Sequence, residues 1–109
     1  MKEMTLREVC NNVVVSRRAI QGYEKAGLVA ASGKNEYGHL LYDENTCERI
    51  KRIKLFQQLG FTIREIKEII DAPNDVLKTA LEEQVKILKS KSEHIEILIN
   101  QTYELIEKL

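Results

Sequence analysis

The last third of the chain limits the fold most. After Pro73 neither glycine nor proline occurs up to Leu109. In that stretch Leu81, Val85, Leu88, Ser92, Ile95, Ile99, Thr102, Ile106 and Leu109 follow one another in alternating steps of four and three. That spacing is a coiled-coil heptad seam, and it predicts one helix over residues 74–109. At ~1.5 Å per residue such a helix is on the order of 50 Å long. It cannot bury its own stripe, and the globular part offers too little surface to cover the whole length. A second copy of the chain is the simplest cover. The expected dimer interface is Leu81, Val85, Leu88, Ile95, Ile99, Thr102, Ile106 and Leu109, and Leu98 and Leu105 widen it. Ser92 and Thr102 are polar seam positions of the kind that fix register at some cost in stability. The alternative is a docking face for another protein's helix.

The segment Val15 to Leu28 reads as a short capped helix. Ser16 stands at the N-cap and Gly27 at the position that ends a helix in the left-handed conformation. Ile20 and Tyr23, with Ala19 beside them, form an inward face. Arg17, Gln21 and Lys25, spaced four apart and flanked by Arg18, form the other. Arg and Gln make bidentate hydrogen bonds to base edges in the major groove, and Arg and Lys neutralise phosphates. Gly22 leaves that face flat. The preceding Thr5-Leu6-Arg7-Glu8 has the form of a capping box. The pair of short helices, Leu6–Asn11 and Arg17–Ala26, is a helix-turn-helix candidate whose second helix reads DNA.

Further on, Gly33, Lys34, Asn35 and Gly38 mark a turn, and Leu40-Leu41-Tyr42 a strand. A hairpin wing is expected within Val29–Tyr42. A third helix opens on Asp43 and stops at Gly60. A fourth opens on the capping box Thr62-Ile63-Arg64-Glu65 and buries Ile63, Ile66, Ile69 and Ile70. The expected fold is therefore mostly α: a winged helix-turn-helix over residues 1–72, then a coiled-coil dimerisation helix over residues 74–109.

Net charge is zero, which at first argues against a nucleic-acid partner. The balance is uneven: residues 1–72 hold 12 Lys+Arg against 10 Asp+Glu, and residues 73–109 hold 5 against 7. Basic residues cluster at Arg17-Arg18 and along Arg49 to Lys54, where the bland reading is a solvated face. No apolar run approaches the ~20 residues of a membrane span, and the N-terminus lacks an apolar signal region. Cys10 and Cys47 stand alone, which points to the reducing cytoplasm. Cys10, Cys47, His39 and His94 are scattered without ligand spacing, so neither a metal nor another cofactor is expected. There is no nucleophile–base pair, phosphate loop or paired carboxylate site, so no enzyme is expected.

These residues resemble the MerR family of bacterial transcription regulators. The likeness runs through Val15-Ser16-x-Arg18-x-Ile20-x-x-Tyr23-Glu24-x-x-Gly27-Leu28, then Gly38-x-x-Leu41-Tyr42-Asp43-Glu44, Ile53-Lys54, and Leu59-Gly60-Phe61-x-Ile63-x-Glu65-Ile66. It covers roughly Thr5 to Asp71, and several spaced elements agree at once. The resemblance implies a helix that pairs antiparallel with a second copy and sets two reading heads on one face of a pseudo-palindromic promoter operator. It implies bending or untwisting of an overlong spacer so that RNA polymerase can engage, with partly indirect readout. The implied DNA contacts are Ser16, Arg17, Arg18, Gln21, Tyr23, Lys34, His39, Tyr42 and Lys54. Tyr23 serves equally to close the core, and Lys34 and His39 serve equally as solvated wing charges.

This chain departs from the pattern at Gln21-Gly22, where Arg-Tyr is usual, at His39-Leu40, where Tyr-Arg is usual, and at Gln57, where a basic residue is common. Each lost phosphate contact flattens the salt dependence by about one unit of slope. The departures support a second reading, a winged-helix adaptor whose coiled coil recruits a protein. A third is an architectural DNA-bending protein of the excisionase type. These 109 residues hold neither a larger effector domain nor the cysteine-bearing loop of the metal-sensing branch. No small-molecule effector is identified by them.

Overall fold

Four helices begin on side chains that accept an otherwise orphan backbone amide. In a computed structural model of the chain, which describes residues 3–109, the caps are Thr5, Ser16, Asp43 and Thr62. Each stands in extended backbone and accepts from the amide three residues on. Thr5 with Glu8, and Thr62 with Glu65, form complete capping boxes. The helices are α1 (Leu6–Val13), α2 (Arg17–Lys25), α3 (Glu44–Leu59) and α4 (Ile63–Ile69). A fifth, α5 (Asn74–Glu107), follows Pro73 without a side-chain cap.

Two of these helices stop on glycines in the left-handed region. Gly27 has φ 79° and Gly60 has φ 108°. The next amide then folds back onto the last turn, from Leu28 to the Tyr23 carbonyl at 2.9 Å and from Phe61 to the Phe56 carbonyl at 3.1 Å. At the end of α1 the same conformation falls on a β-branched residue, Val14, with φ 60° and ψ 53°. That is an unfavourable conformation for valine.

Three short strands accompany the helices: β1 (Met4–Thr5), β2 (Gly33–Lys34) and β3 (Leu40–Tyr42). They form an antiparallel sheet in the order β1-β3-β2. Met4 pairs with Tyr42 and Thr5 with Leu41 on one side, and Gly33 with Leu41 and Lys34 with Leu40 on the other. The expected hairpin is thus the outer part of a three-stranded sheet. At its tip the Asn35 carboxamide oxygen accepts from the amides of Tyr37 (2.9 Å) and His39 (3.0 Å). That Asx geometry holds the turn.

The chain divides into two compact units, one ending at Asp71 and the other running Ala72–Leu109. The core of the first holds Val9, Ile20, Tyr42, Ile50, Ile53 and Ile66, all fully buried. Phe56 and Phe61 meet edge-to-face with centroids 5.9 Å apart. Some expectations need correction. α1 runs two residues past Asn11, because Val13 is buried and extends the inward face begun by Val9. Ile63 is only half-buried, being the first residue of α4, and Cys10 is half-buried while Cys47 is buried. α5 is a continuous 34-residue helix. No helix among the described residues is long and apolar enough to cross a membrane.

Candidate nucleic-acid interface

α2 divides its side chains as its sequence requires. Ile20 and Tyr23 are buried, while Arg17, Arg18, Gln21, Gly22 and Lys25 are exposed. The Ser16 hydroxyl accepts the Ala19 amide at 3.0 Å, so Ser16 fixes the start of the helix. Among the described residues no ion pair engages Arg17, Arg18 or Lys25. A Cβ added at Gly22 would meet nothing within 4 Å, so the surface there is open.

The wing brings a second exposed set. Lys34 and His39 lie in the open on its two sides. Between them Tyr37 is 76% exposed, with its ring centroid 6.4 Å from that of His39. Tyr37 is a further exposed candidate on the wing. Its signal was an aromatic beside Gly38 in a turn-prone stretch, where burial is not available. Arg64 and Lys67 on α4 are further candidates, and with Lys25 and Glu68 they line a shallow surface groove beside the end of α2. Arg64 and Lys67 are three apart and both exposed, which is the one sequence sign of a shared face.

Three expected contacts are turned inward. Tyr42 is fully buried, and its hydroxyl donates to Glu24 Oε1 at 2.5 Å. Tyr23 is buried, and its hydroxyl donates to Gln57 Oε1 at 2.6 Å. Burial pushes the Tyr23 phenol above its ordinary pKa. Lys54 is half-buried, and its ammonium donates to the carbonyls of Val13 (3.0 Å) and Val14 (2.6 Å). These three side chains hold α2, the wing and the α1 turn in place.

The remaining cations of α3 are also engaged. Arg49 Nε donates to the Leu28 carbonyl at 2.5 Å, and its two terminal nitrogens clamp Asp71 at 2.7 and 2.8 Å. Lys51 pairs with Glu48 at 3.0 Å. Arg52 lies over the Phe56 ring, 5.6 Å from its centroid. The basic run Arg49 to Lys54 therefore serves the fold, and α2, α4 and the wing carry exposed cations that no ion pair engages among the described residues.

On α5 the seam residues Val85, Leu88, Ile95, Ile99, Thr102 and Ile106 are exposed and Leu81 is half-buried, while Leu109, expected on the same helix, lies exposed beyond its end at Glu107. Among the described residues no group of three or more His, Cys, Asp or Glu side chains gathers as a metal site.

Comparison with known proteins adds to this geometry. The family described as MerR HTH family regulatory protein matches residues 4–73, and that described as MerR, DNA binding matches residues 47–109. The HTH-type transcriptional activator mta of Bacillus subtilis is 33% identical over 94 residues. That match takes in 86% of this chain but 37% of the relative, so the chain spans well under half the length of that protein. A MerR-family transcriptional regulator from Bacillus cereus superposes with a TM-score of 0.83 at 27% identity, covering 98% of this chain and 82% of its own. HiNmlR, a MerR-family regulator lacking the sensor domain and bound to promoter DNA, superposes with a TM-score of 0.75 at 18% identity, covering 91% and 80%. At that identity the likeness is one of fold. The chain belongs to the MerR family and carries its winged helix-turn-helix.

Proposed function

We propose that the protein acts as a homodimer on a pseudo-palindromic promoter operator. Each copy lays α2 in a major groove with the wing beside it, and the bound site is bent or untwisted between the two heads. Arg17, Arg18 and Gln21 make the α2 contacts, and Lys34 and His39 the wing contacts. RNA polymerase is the partner that meets the distorted promoter. The carrying observation is that Arg17, Arg18, Gln21 and Lys25 are exposed on one capped helix, with no ion pair at its cations among the described residues, while every cation of α3 is engaged. Uncommitted guanidinium groups on a helix edge that Gly22 leaves open are what phosphate and base contact require.

The test is a titration of the protein against its own upstream DNA and a scrambled control at two salt concentrations. A preference of about a thousandfold or more for one site establishes the specific regulator. Equal, weak binding to both refutes it and favours the adaptor. The engagement of Lys54 and the neutral side chain at Gln57 support that second reading, because they remove phosphate contacts from α3.

A further inference from the structure

The chain has two histidines, and one of them, His39, stands in the open on the wing, at the end of the turn that leads into β3. The other, His94, lies on α5. One residue holds the His39 main chain from both sides. The His39 amide donates to the Asn35 carboxamide oxygen at 3.0 Å, and the His39 carbonyl accepts from the Asn35 amide at 3.0 Å. The same carboxamide oxygen accepts the Tyr37 amide at 2.9 Å, which fixes the residue whose ring lies 6.4 Å from the imidazole. The backbone beneath the imidazole is therefore pinned. Among the described residues no ion pair engages the imidazole itself.

The ionisable groups around it are few. Glu36 and Tyr37 stand in the turn, and Lys34 stands on β2, paired in register with Leu40, the residue after His39. β1, on the far side of β3, has none. Histidine is the side chain that ordinarily changes charge between about pH 5 and 8; lysine and the carboxylates do not. A neutral imidazole offers one N–H and no charge. An imidazolium offers two N–H donors and a positive charge, and it makes the charge-assisted bond to a phosphate oxygen. A phosphate set against the ring therefore draws a proton onto it from solvent, and the proton returns to solvent when the phosphate leaves.

We infer that His39 is a proton-linked phosphate contact: the wing takes up a proton there as it meets DNA, so affinity for the operator rises as pH falls. The inference rests on the DNA-binding function proposed above. Its sign follows from the charge. The bound state favours the protonated ring, so the contribution is present at low pH and is lost as pH rises.

Titrations of the full chain against its operator at pH about 5.5 and about 8, each at several salt concentrations, test it. The wild type is expected to bind about two- to fivefold tighter at the lower pH for each wing in contact, as suits an exposed ion pair. Its salt slope should be steeper there by about one unit for each wing. His39→Gln, which cannot take a proton, should show neither change. His39→Lys should show the steep slope at both pH values, and His94→Gln should behave as the wild type does. A His39→Gln protein that keeps the pH effect overturns the inference, as does a wild type that binds the operator specifically but equally at both pH values. Absence of specific binding at either pH overturns the operator reading itself.

Discussion

The Tyr42 hydroxyl donates to Glu24 Oε1 across 2.5 Å and so ties strand β3 of the wing to α2. Burial first, and the Glu24 carboxylate second, raise the Tyr42 phenol well above the ordinary 10.0. Replacing Tyr42 by phenylalanine keeps the buried ring and deletes the donor. We expect a loss of about 1–2 kcal/mol in urea unfolding, because Glu24 loses its partner in a half-buried setting. The raised phenol also sets a pH dependence. Its contribution is complete below pH about 10 and falls as pH rises above that toward the folded-state value. Urea midpoints of the wild type on either side of pH about 10 should show the fall, and the phenylalanine variant should show less of it.

Arg49 and Asp71 form a two-pronged pair, but the two ends are unequal. The Asp71 side chain is 71% exposed and that of Arg49 31%. Hydrogen bonding to Arg49 holds the Asp71 carboxyl below its ordinary value, so its small contribution is present above pH about 4 and disappears as pH falls through the lowered value. Solvent screening keeps the exposed pair to ~0.5 kcal/mol, and Asp71→Asn should cost about that much. Arg49→Ala also strips the Leu28 carbonyl of its donor, and we expect a loss of ~2 kcal/mol. Thermal melts of the two variants check the ratio; equal losses would place the energy in the ion pair after all.

Val14 and Lys54 meet at the turn between α1 and α2. Val14 occupies the left-handed region with a β-branched side chain and is 74% exposed, so Val14→Gly relieves strain without opening the core. It should stabilise the chain by about 1 kcal/mol, measured as a raised Tm. Lys54→Met removes the donor to the Val13 and Val14 carbonyls and should cost about 1 kcal/mol. The salt slope of DNA binding should stay unchanged in that variant. A slope lower by about one unit would restore Lys54 as a phosphate contact.

Much of the fold could be read in advance because its boundaries are written locally. Thr5, Ser16, Asp43 and Thr62 cap the helices from within three residues, and Gly27 and Gly60 end them in a conformation that other residues resist. The strand Met4–Thr5 escaped notice because two residues carry no period, and it exists only through its pairing with β3. The inward turn of Tyr42 and Lys54 was equally hidden. A tyrosine and a lysine in a family-like pattern look the same whether they touch a phosphate or a carboxylate and two carbonyls from a distant part of the chain. The exposed α2 face was legible because helical period alone separates Arg17, Gln21 and Lys25 from Ile20 and Tyr23.

The direct test of the reading face is the affinity of Arg18→Ala for the operator, measured beside the wild type at the same salt. Arg18 is exposed and no ion pair engages it among the described residues, so dimer mass and Tm should be unchanged. The expected result is a loss of about 1–3 kcal/mol in specific binding, roughly fivefold to a hundredfold or more. An Arg18→Ala protein that folds, keeps its mass and binds the operator as tightly as the wild type would contradict the assignment of α2 as the reading helix.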